Sequence, residues 1–176
     1  MRRDDSGGVP VGVELYPVDG PVPIERGAVQ NLCAAVENGN PVYWDDAAAA
    51  AVTGGPVAPG TMLSAWFRPP HWAPGATEAQ VPLQLHFDLK DRFGLPESVV
   101  AANTLLLHEP VRPGDRLRTT QVLRSVSAPK RTRLGQGRFW EIEVRYRNQR
   151  GELVGVDDYT MFAYATPVAG EGAEGD

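Results

Sequence analysis

Between Phe139 and Arg147 the chain alternates without a break. Phe139, Glu141, Glu143, Arg145 and Arg147 fall on one parity, and Trp140, Ile142, Val144 and Tyr146 on the other. A period of two sends successive side chains to opposite faces of an extended backbone, so this stretch fits a half-buried strand. Arg116 to Val126 alternates in the same way. Val99 to His108 and Glu152 to Tyr164 also read as strands. Pro110 to Asp115 supplies a turn, Pro129 to Gly137 a basic glycine-containing loop, and Gln149-Arg150-Gly151 a hairpin. Four consecutive antiparallel strands are therefore expected from Val99 onward.

The first half has a different period. Val29, Leu32, Cys33 and Val36 are spaced i, i+3, i+4, i+7, one face of a helix. Before them, Val11 to Tyr16 reads as a first strand and Pro17 to Pro23 as a turn-rich connection. Asn38-Gly39 is the expected helix stop, since both residues tolerate left-handed angles. Asn40 precedes Pro41 and stays extended. Asp45 or Asp46 can cap a helix running to Val52. Thr61 to Phe67 is almost entirely apolar or small, which predicts a helix buried on most sides. Arg68 to Gln80 is a Pro/Gly/Ala-rich loop carrying His71 and Trp72, and Leu83 to Phe93 forms a second short helix or an irregular cover. One strand, then helices, then four antiparallel strands make an α+β layer. With one helix greasy enough to be wrapped by the sheet, the order of elements points to the hot-dog fold, an antiparallel sheet around one long central helix.

The 176 residues suffice for one domain. Its expected extent is 11–166, with a loose N-terminus over 1–10 and a disordered acidic tail over 167–176. The net charge of −5 argues against bulk binding of nucleic acid or an anionic membrane. Eleven of the 17 Lys and Arg residues nevertheless lie between Arg112 and Arg150. They form either a cationic face for an anionic ligand or the ordinary solvated side of the strands. A single cysteine rules out an internal disulfide and a cysteine-based metal site, and Cys33 belongs to the helix stripe. No apolar run approaches the roughly 20 residues of a membrane span, and Met1 to Asp5 leads into no signal-like segment. A cytoplasmic protein is the default expectation.

Four segments, Asn40-Pro41-Val42-Tyr43-Trp44-Asp45, Val57-Ala58-Pro59-Gly60-Thr61-Met62, Val111-Arg112-Pro113-Gly114-Asp115-Arg116-Leu117 and Gly151-Glu152-Leu153-Val154, carry a family pattern in order. Over most of residues 15 to 165 the chain resembles the MaoC-like hydratase/dehydratase family, in its degenerate N-terminal dehydratase-domain form. Val99 to Tyr164 is most similar to one subunit of the heteromeric enoyl-CoA hydratases of steroid side-chain degradation. Val100-Ala101-Ala102-Asn103, Lys130-Arg131-Thr132 and Leu134-Gly135-Gln136-Gly137-Arg138-Phe139 carry that likeness. In such relatives a zinc-ribbon/OB-type domain often follows and docks an aldolase; with no cysteine pairs, no such domain is expected here.

The resemblance implies where chemistry would sit. Catalytic members carry Asp two residues before the Asn-Pro pair and His two residues after the proline. One group activates water and the other orients it or delivers a proton to the unsaturated thioester. Here those positions hold Asn38 and Tyr43. An amide is no base, and a phenol keeps its proton at neutral pH. Losing either group costs on the order of 10²- to 10⁴-fold in rate. The resemblance therefore implies a non-catalytic, substrate-binding subunit whose catalytic MaoC-like partner completes a heterodimer or a dimer of heterodimers. The substrate would be a bulky enoyl-CoA such as a steroid side-chain thioester, with no metal or redox cofactor. Two rivals remain: an acyl-CoA-binding scaffold that recruits an aldolase or thiolase, and a stand-alone hydratase or thioesterase using Asp45, Asp46, His71 or His86. Pro59, Gly60, Thr61, Met62, Trp66 and Trp72 are the expected substrate-binding residues. Pro59-Gly60 either offers backbone N–H groups to a ligand carbonyl or permits close packing. Arg131, Arg133 and Arg138 are candidates for the phosphates of coenzyme A. His108 is assigned no role.

Overall fold

The strand that holds the alternating stretch is the centre of the sheet. In the structure, a computed structural model that describes residues 6–68, Pro74 and 81–166, this strand is β5 (Gln136–Asn148). On one side β5 pairs with β3 (Leu117–Val126), and β3 pairs with β1 (Glu14–Asp19). On the other it pairs with β6 (Leu153–Ala165), and β6 pairs with β2 (Glu97–Leu107). The short β4 (Lys130–Arg131) lies against the start of β5. All these pairings are antiparallel, in the order β1-β3-β5-β6-β2. The four long strands expected from the sequence are present. Yet β2 and β3, neighbours in sequence, lie on opposite sides of the central pair.

β1 runs through the stretch expected to be a turn. Tyr16 takes a positive φ of 51°, and the register against β3 shifts between Leu15 and Val18. That bulge admits Pro17, which lacks an N–H, into an edge strand. Helix α1 (Arg26–Ala35) buries Val29 and Cys33 as its stripe predicts. Its stop is not at Asn38-Gly39. Glu37 takes the left-handed conformation, φ 55°, and the Asn38 N–H closes the end by donating to the Cys33 carbonyl at 2.8 Å. Helix α2 (Asp46–Thr53) is capped by Asp45, whose Oδ1 accepts from the N–H groups of Ala47 (2.7 Å) and Ala48 (3.0 Å).

The sheet does not wrap one long helix. Two short helices share its inner face, the face on which Trp140, Ile142, Val144 and Tyr146 lie. The first, Gly60–Phe67, is wound as a 3₁₀ helix and buries Met62, Leu63 and Trp66. The second, α3 (Gln84–Phe93), buries Leu85 and Leu89 completely. Each pair of such side chains contributes several kcal/mol, at about 1.5–3 kcal/mol per residue. Gly155 lets the first helix sit directly on β6, because a Cβ there would stand 2.3 Å from Leu63 Cδ1. Two hydrophobic clusters result. One joins α1, the 3₁₀ helix, Leu117, Tyr146 and Val154; the other joins α3, Leu123, Trp140, Ile142 and Met161. Val9, from the stretch expected to be loose, is buried in the second cluster. No helix among the described residues is long and apolar enough to cross a membrane.

Candidate functional site

The loop from Glu37 to Asp45 binds mainly to itself. Asn38 Oδ1 accepts from the Asn40 N–H at 3.0 Å, and the Asn38 carbonyl accepts from Trp44 Nε1 at 2.8 Å. Asn40 Oδ1 accepts from the Val42 N–H at 3.2 Å, which starts the single turn Pro41–Tyr43. These side chains use their acceptors to shape the turn. Tyr43 is half-buried and lays its ring against the first cluster. Asp45 is the α2 cap, and Asp46 pairs with Arg26 at 2.5 Å. Within the loop, no carboxylate and imidazole stand together as an acid–base pair.

His86 does not replace them. His86 is buried, and both ring nitrogens are engaged: Trp140 Nε1 donates to Nδ1 at 3.1 Å, and Nε2 lies 3.1 Å from Ser98 Oγ. With Nδ1 accepting, Nε2 carries the proton and donates to the serine. Burial drives the His86 pKa down to about 4, so the ring is neutral and structural. His108 contributes a backbone N–H to the Val154 carbonyl at 3.1 Å. His71 and Trp72 lie outside the described residues.

A cavity of about 610 Å³ opens between the two short helices. Ser64, Phe67 and Arg68 form one wall, Val81 to Leu83 another, and Val18, Thr119, Gln121, Val144, Tyr146 and Tyr159 the floor. The lining begins at Ser64 and bypasses the expected Trp66 for Phe67 and Arg68. Three residues per turn put Ser64 and Phe67 on one side and Leu63 and Trp66 on another. Met62 and Trp66 are consequently core residues, Thr61 is exposed, and none of Pro59, Gly60, Thr61, Met62 and Trp66 lines the cavity. Gly60 serves close packing: a Cβ there would lie 2.5 Å from Leu107 Cδ1.

The floor of the cavity carries polar groups that the sequence reading passed over. Tyr146 donates its hydroxyl to Asp157 Oδ2 at 2.8 Å, and Asn103 Nδ2 reaches Asp157 Oδ1 at 3.5 Å. Burial, reinforced by the Asp157 carboxylate, pushes the Tyr146 phenol far above its usual range. Burial and the same carboxylate also raise Tyr159. Both phenols therefore keep their protons. Gln121 Oε1 accepts from the Leu85 N–H at 2.9 Å, serving the first turn of α3, whose own N-cap Leu83 supplies no side-chain bond. Parity gave no signal here, since β6 buries Val154, Val156 and Phe162 on one parity and Met161 and Ala163 on the other.

The arginines divide into two groups. Arg145 pairs with Glu143 and Glu14, Arg147 with Glu14, and Arg124 with Glu143, which makes this part of the basic run the solvated outer face of the sheet. Arg131 and Arg133 are exposed, with no ion pair among the described residues. Arg138 donates to the Ser127 carbonyl at 2.7 Å and lies over the Phe93 ring at 4.8 Å. Arg131 and Arg138 flank the Gln136 end of β5, whereas Tyr43 packs in the cluster containing Tyr146, toward the other end. At about 3.3 Å per residue, the eight residues from Arg138 to Tyr146 span about 26 Å, so one chain does not bring the two together.

An antiparallel sheet folded over short helices, with a degenerate Asn-Pro loop and an internal cavity, defines a hot-dog protein of the MaoC-like hydratase and dehydratase class. Residues 10–156 match the FAS1-like dehydratase domain region, and the chain belongs to that family. It is similar to a probable enoyl-CoA hydratase alpha subunit from Thermomonospora curvata, 31% identical over 151 residues, covering 84% of this chain and 47% of that protein. It is also similar to a 3-oxo-4,17-pregnadiene-20-carboxyl-CoA hydratase alpha subunit from Mycobacterium tuberculosis, 32% identical over 118 residues, 66% of this chain and 37% of that protein. The chain thus spans half the length or less of these curated relatives. Among solved structures it matches a chain of the ChsH1–ChsH2 complex from Mycobacterium tuberculosis. That match has a TM-score of 0.72 and 26% identity, over 92% of this chain and 87% of the other.

Proposed function

We propose that the chain is the non-catalytic, substrate-binding subunit of a heteromeric enoyl-CoA hydratase acting on a bulky acyl group. The observation that carries this is the Asn38–Tyr43 loop. Its amides are hydrogen-bonded into the turn, its phenol rests on the core, and no described acid–base pair stands in for Asp and His. Water addition then needs groups from another subunit. Two relatives named as hydratase alpha subunits, and a structural neighbour that is a two-component complex, support that reading.

Two further features support it. β2 is an edge strand whose outer side pairs with no other strand among the described residues, and it exposes Val99, Val100, Leu106 and Leu107. A long apolar edge of this kind needs a cover, and a second hot-dog subunit provides one. The cavity of about 610 Å³ suits a fused-ring acyl group better than a short chain. The relative that acts on a pregnadiene carboxyl-CoA makes a steroid side-chain thioester the favoured class. In this reading Arg131 and Arg133, with Arg138 beside them, meet the phosphates of a coenzyme A whose acyl end enters from the assembled pair. Hydration is redox-neutral, so no redox cofactor is called for.

The test is co-purification with a MaoC-like subunit that retains Asp and His, followed by measurement of mass in solution. A stable heteromer that is lost in Val100→Lys/Leu106→Lys is the expected result. A homodimer that never takes up the sibling contradicts the proposal. Recovery of an aldolase or thiolase in place of a hot-dog subunit would favour the scaffold reading instead.

A further inference from the structure

The floor of the cavity is more polar than a site for a hydrocarbon needs to be. Tyr146, Gln121 and Tyr159 face the space together with Val144, and the Tyr146–Asp157 pair lies among them. Their engagements differ. The Tyr146 hydroxyl is fixed on Asp157, and Gln121 Oε1 is fixed on the Leu85 N–H, which leaves the Gln121 amide nitrogen as its remaining donor. The Tyr159 hydroxyl makes no hydrogen bond among the described residues, although its ring is half-buried against the second cluster. A half-buried phenol that lines a cavity and lacks a partner gains one when a ligand supplies it.

We propose that Tyr159 is a specificity residue that donates a hydrogen bond to an acceptor oxygen on the non-reacting part of the acyl group. This rests on the reading above. Since the chain lacks the acid–base pair, the thioester end belongs beside the partner's catalytic groups, and this cavity receives the remote end of the substrate. The oxygen is a neutral ketone or similar acceptor. The protonated Tyr159 hydroxyl offers a donor between charges of opposite sign, Asp157 behind the floor and Arg68 on the wall, and a neutral acceptor calls on neither charge. The Gln121 amide nitrogen is a second donor on the same floor, but Gln121 also holds α3 and is less suited to substitution.

The experiment compares two non-reacting probes, adamantane-carboxyl-CoA and its ring-ketone analogue, by titration calorimetry against the chain assembled with its catalytic subunit. The wild type is expected to bind the ketone about 3- to 10-fold more tightly, the range of one neutral hydrogen bond. In Tyr159→Phe that ratio falls to about one. A variant that merely loosens the cavity weakens both probes together and keeps the ratio, and that result overturns the assignment. Equal binding of the two probes by the wild type overturns it as well, while leaving the acyl cavity in place. Failure of both probes to bind the wild type would remove the cavity reading itself, and the role of Tyr159 with it.

Discussion

The Asn38–Tyr43 loop and the interior of the sheet both hold polar side chains, and they satisfy them in opposite ways. In the loop, Asn38 and Asn40 bond to backbone groups two residues away. In the interior, Tyr146 reaches Asp157 11 residues on, Gln121 reaches Leu85 across 36, and His86 meets Trp140 across 54. The loop is thus a largely self-contained turn, with Asn38 and Asn40 spent on its own backbone. The interior groups are placed by the whole fold, and removing one leaves a buried partner unmatched. The difference teaches that the recognisable motif marks a geometry, whereas the polarity lining the cavity lies where no motif pointed.

That contrast can be broken at several places, with the largest effect expected at His86. Its ring is held neutral, with the pKa down at about 4 against the ordinary 6.5. The unfolded chain takes up a proton as pH falls below about 6.5, and the folded chain resists until about 4. Stability is therefore full above 6.5, declines between the two values and flattens below them, by on the order of 3 kcal/mol. Urea denaturation at a series of pH values measures this, and His86→Gln, which still offers Trp140 an acceptor, is expected to flatten the slope. An unchanged slope in the variant would assign the acid sensitivity to other groups.

Asp157→Ala strips the Tyr146 hydroxyl of its acceptor inside the protein. A loss of about 1–3 kcal/mol in chemical denaturation is expected. Gly155→Ala tests the packing above the floor. Its methyl must displace Leu63, and a loss of about 1–2 kcal/mol with weaker binding of bulky thioesters is expected, by overpacking between helix and sheet. The smallest effect belongs to the loop. Asn38→Ala removes one partly exposed local bond and is expected to cost below about 1 kcal/mol. If Asn38→Ala proves as damaging as Asp157→Ala, the loop is part of the interior network and the contrast fails.

Much of this architecture is legible in the residues. The period of two from Phe139 to Arg147 marks β5, the i, i+3, i+4 stripe marks α1, and Asp45 caps the helix that follows it. Other features depend on forces that local pattern does not record. Pro17 reads as a turn because proline lacks a donor, yet an edge strand with a bulge accommodates it. Thr61 to Phe67 is apolar enough for a long central helix, but it stops at Arg68, and α3 completes the cover of the sheet. Asp157 is hidden for a different reason. β6 buries Val154, Val156 and Phe162 on one parity and Met161 and Ala163 on the other. With both faces covered, the strand shows no alternation from which to tell that Asp157 points inward. Gly60 illustrates the converse, since a glycine at a helix start fits a ligand-facing backbone and a close packing contact equally well, and only the position of Leu107 decides.

Assaying hydration of a bulky enoyl-CoA by the chain alone, by a lone MaoC-like subunit that retains Asp and His, and by the two combined tests the proposed division of labour most directly. The expected result is no measurable turnover from the chain alone and full activity only in the combination, a difference on the order of 10²-fold or more. The Asn38→Asp/Tyr43→His double variant is expected to be the minimum change that lets the chain begin to work unaided. Appreciable hydration by the wild-type chain in the absence of any partner would contradict a non-catalytic subunit.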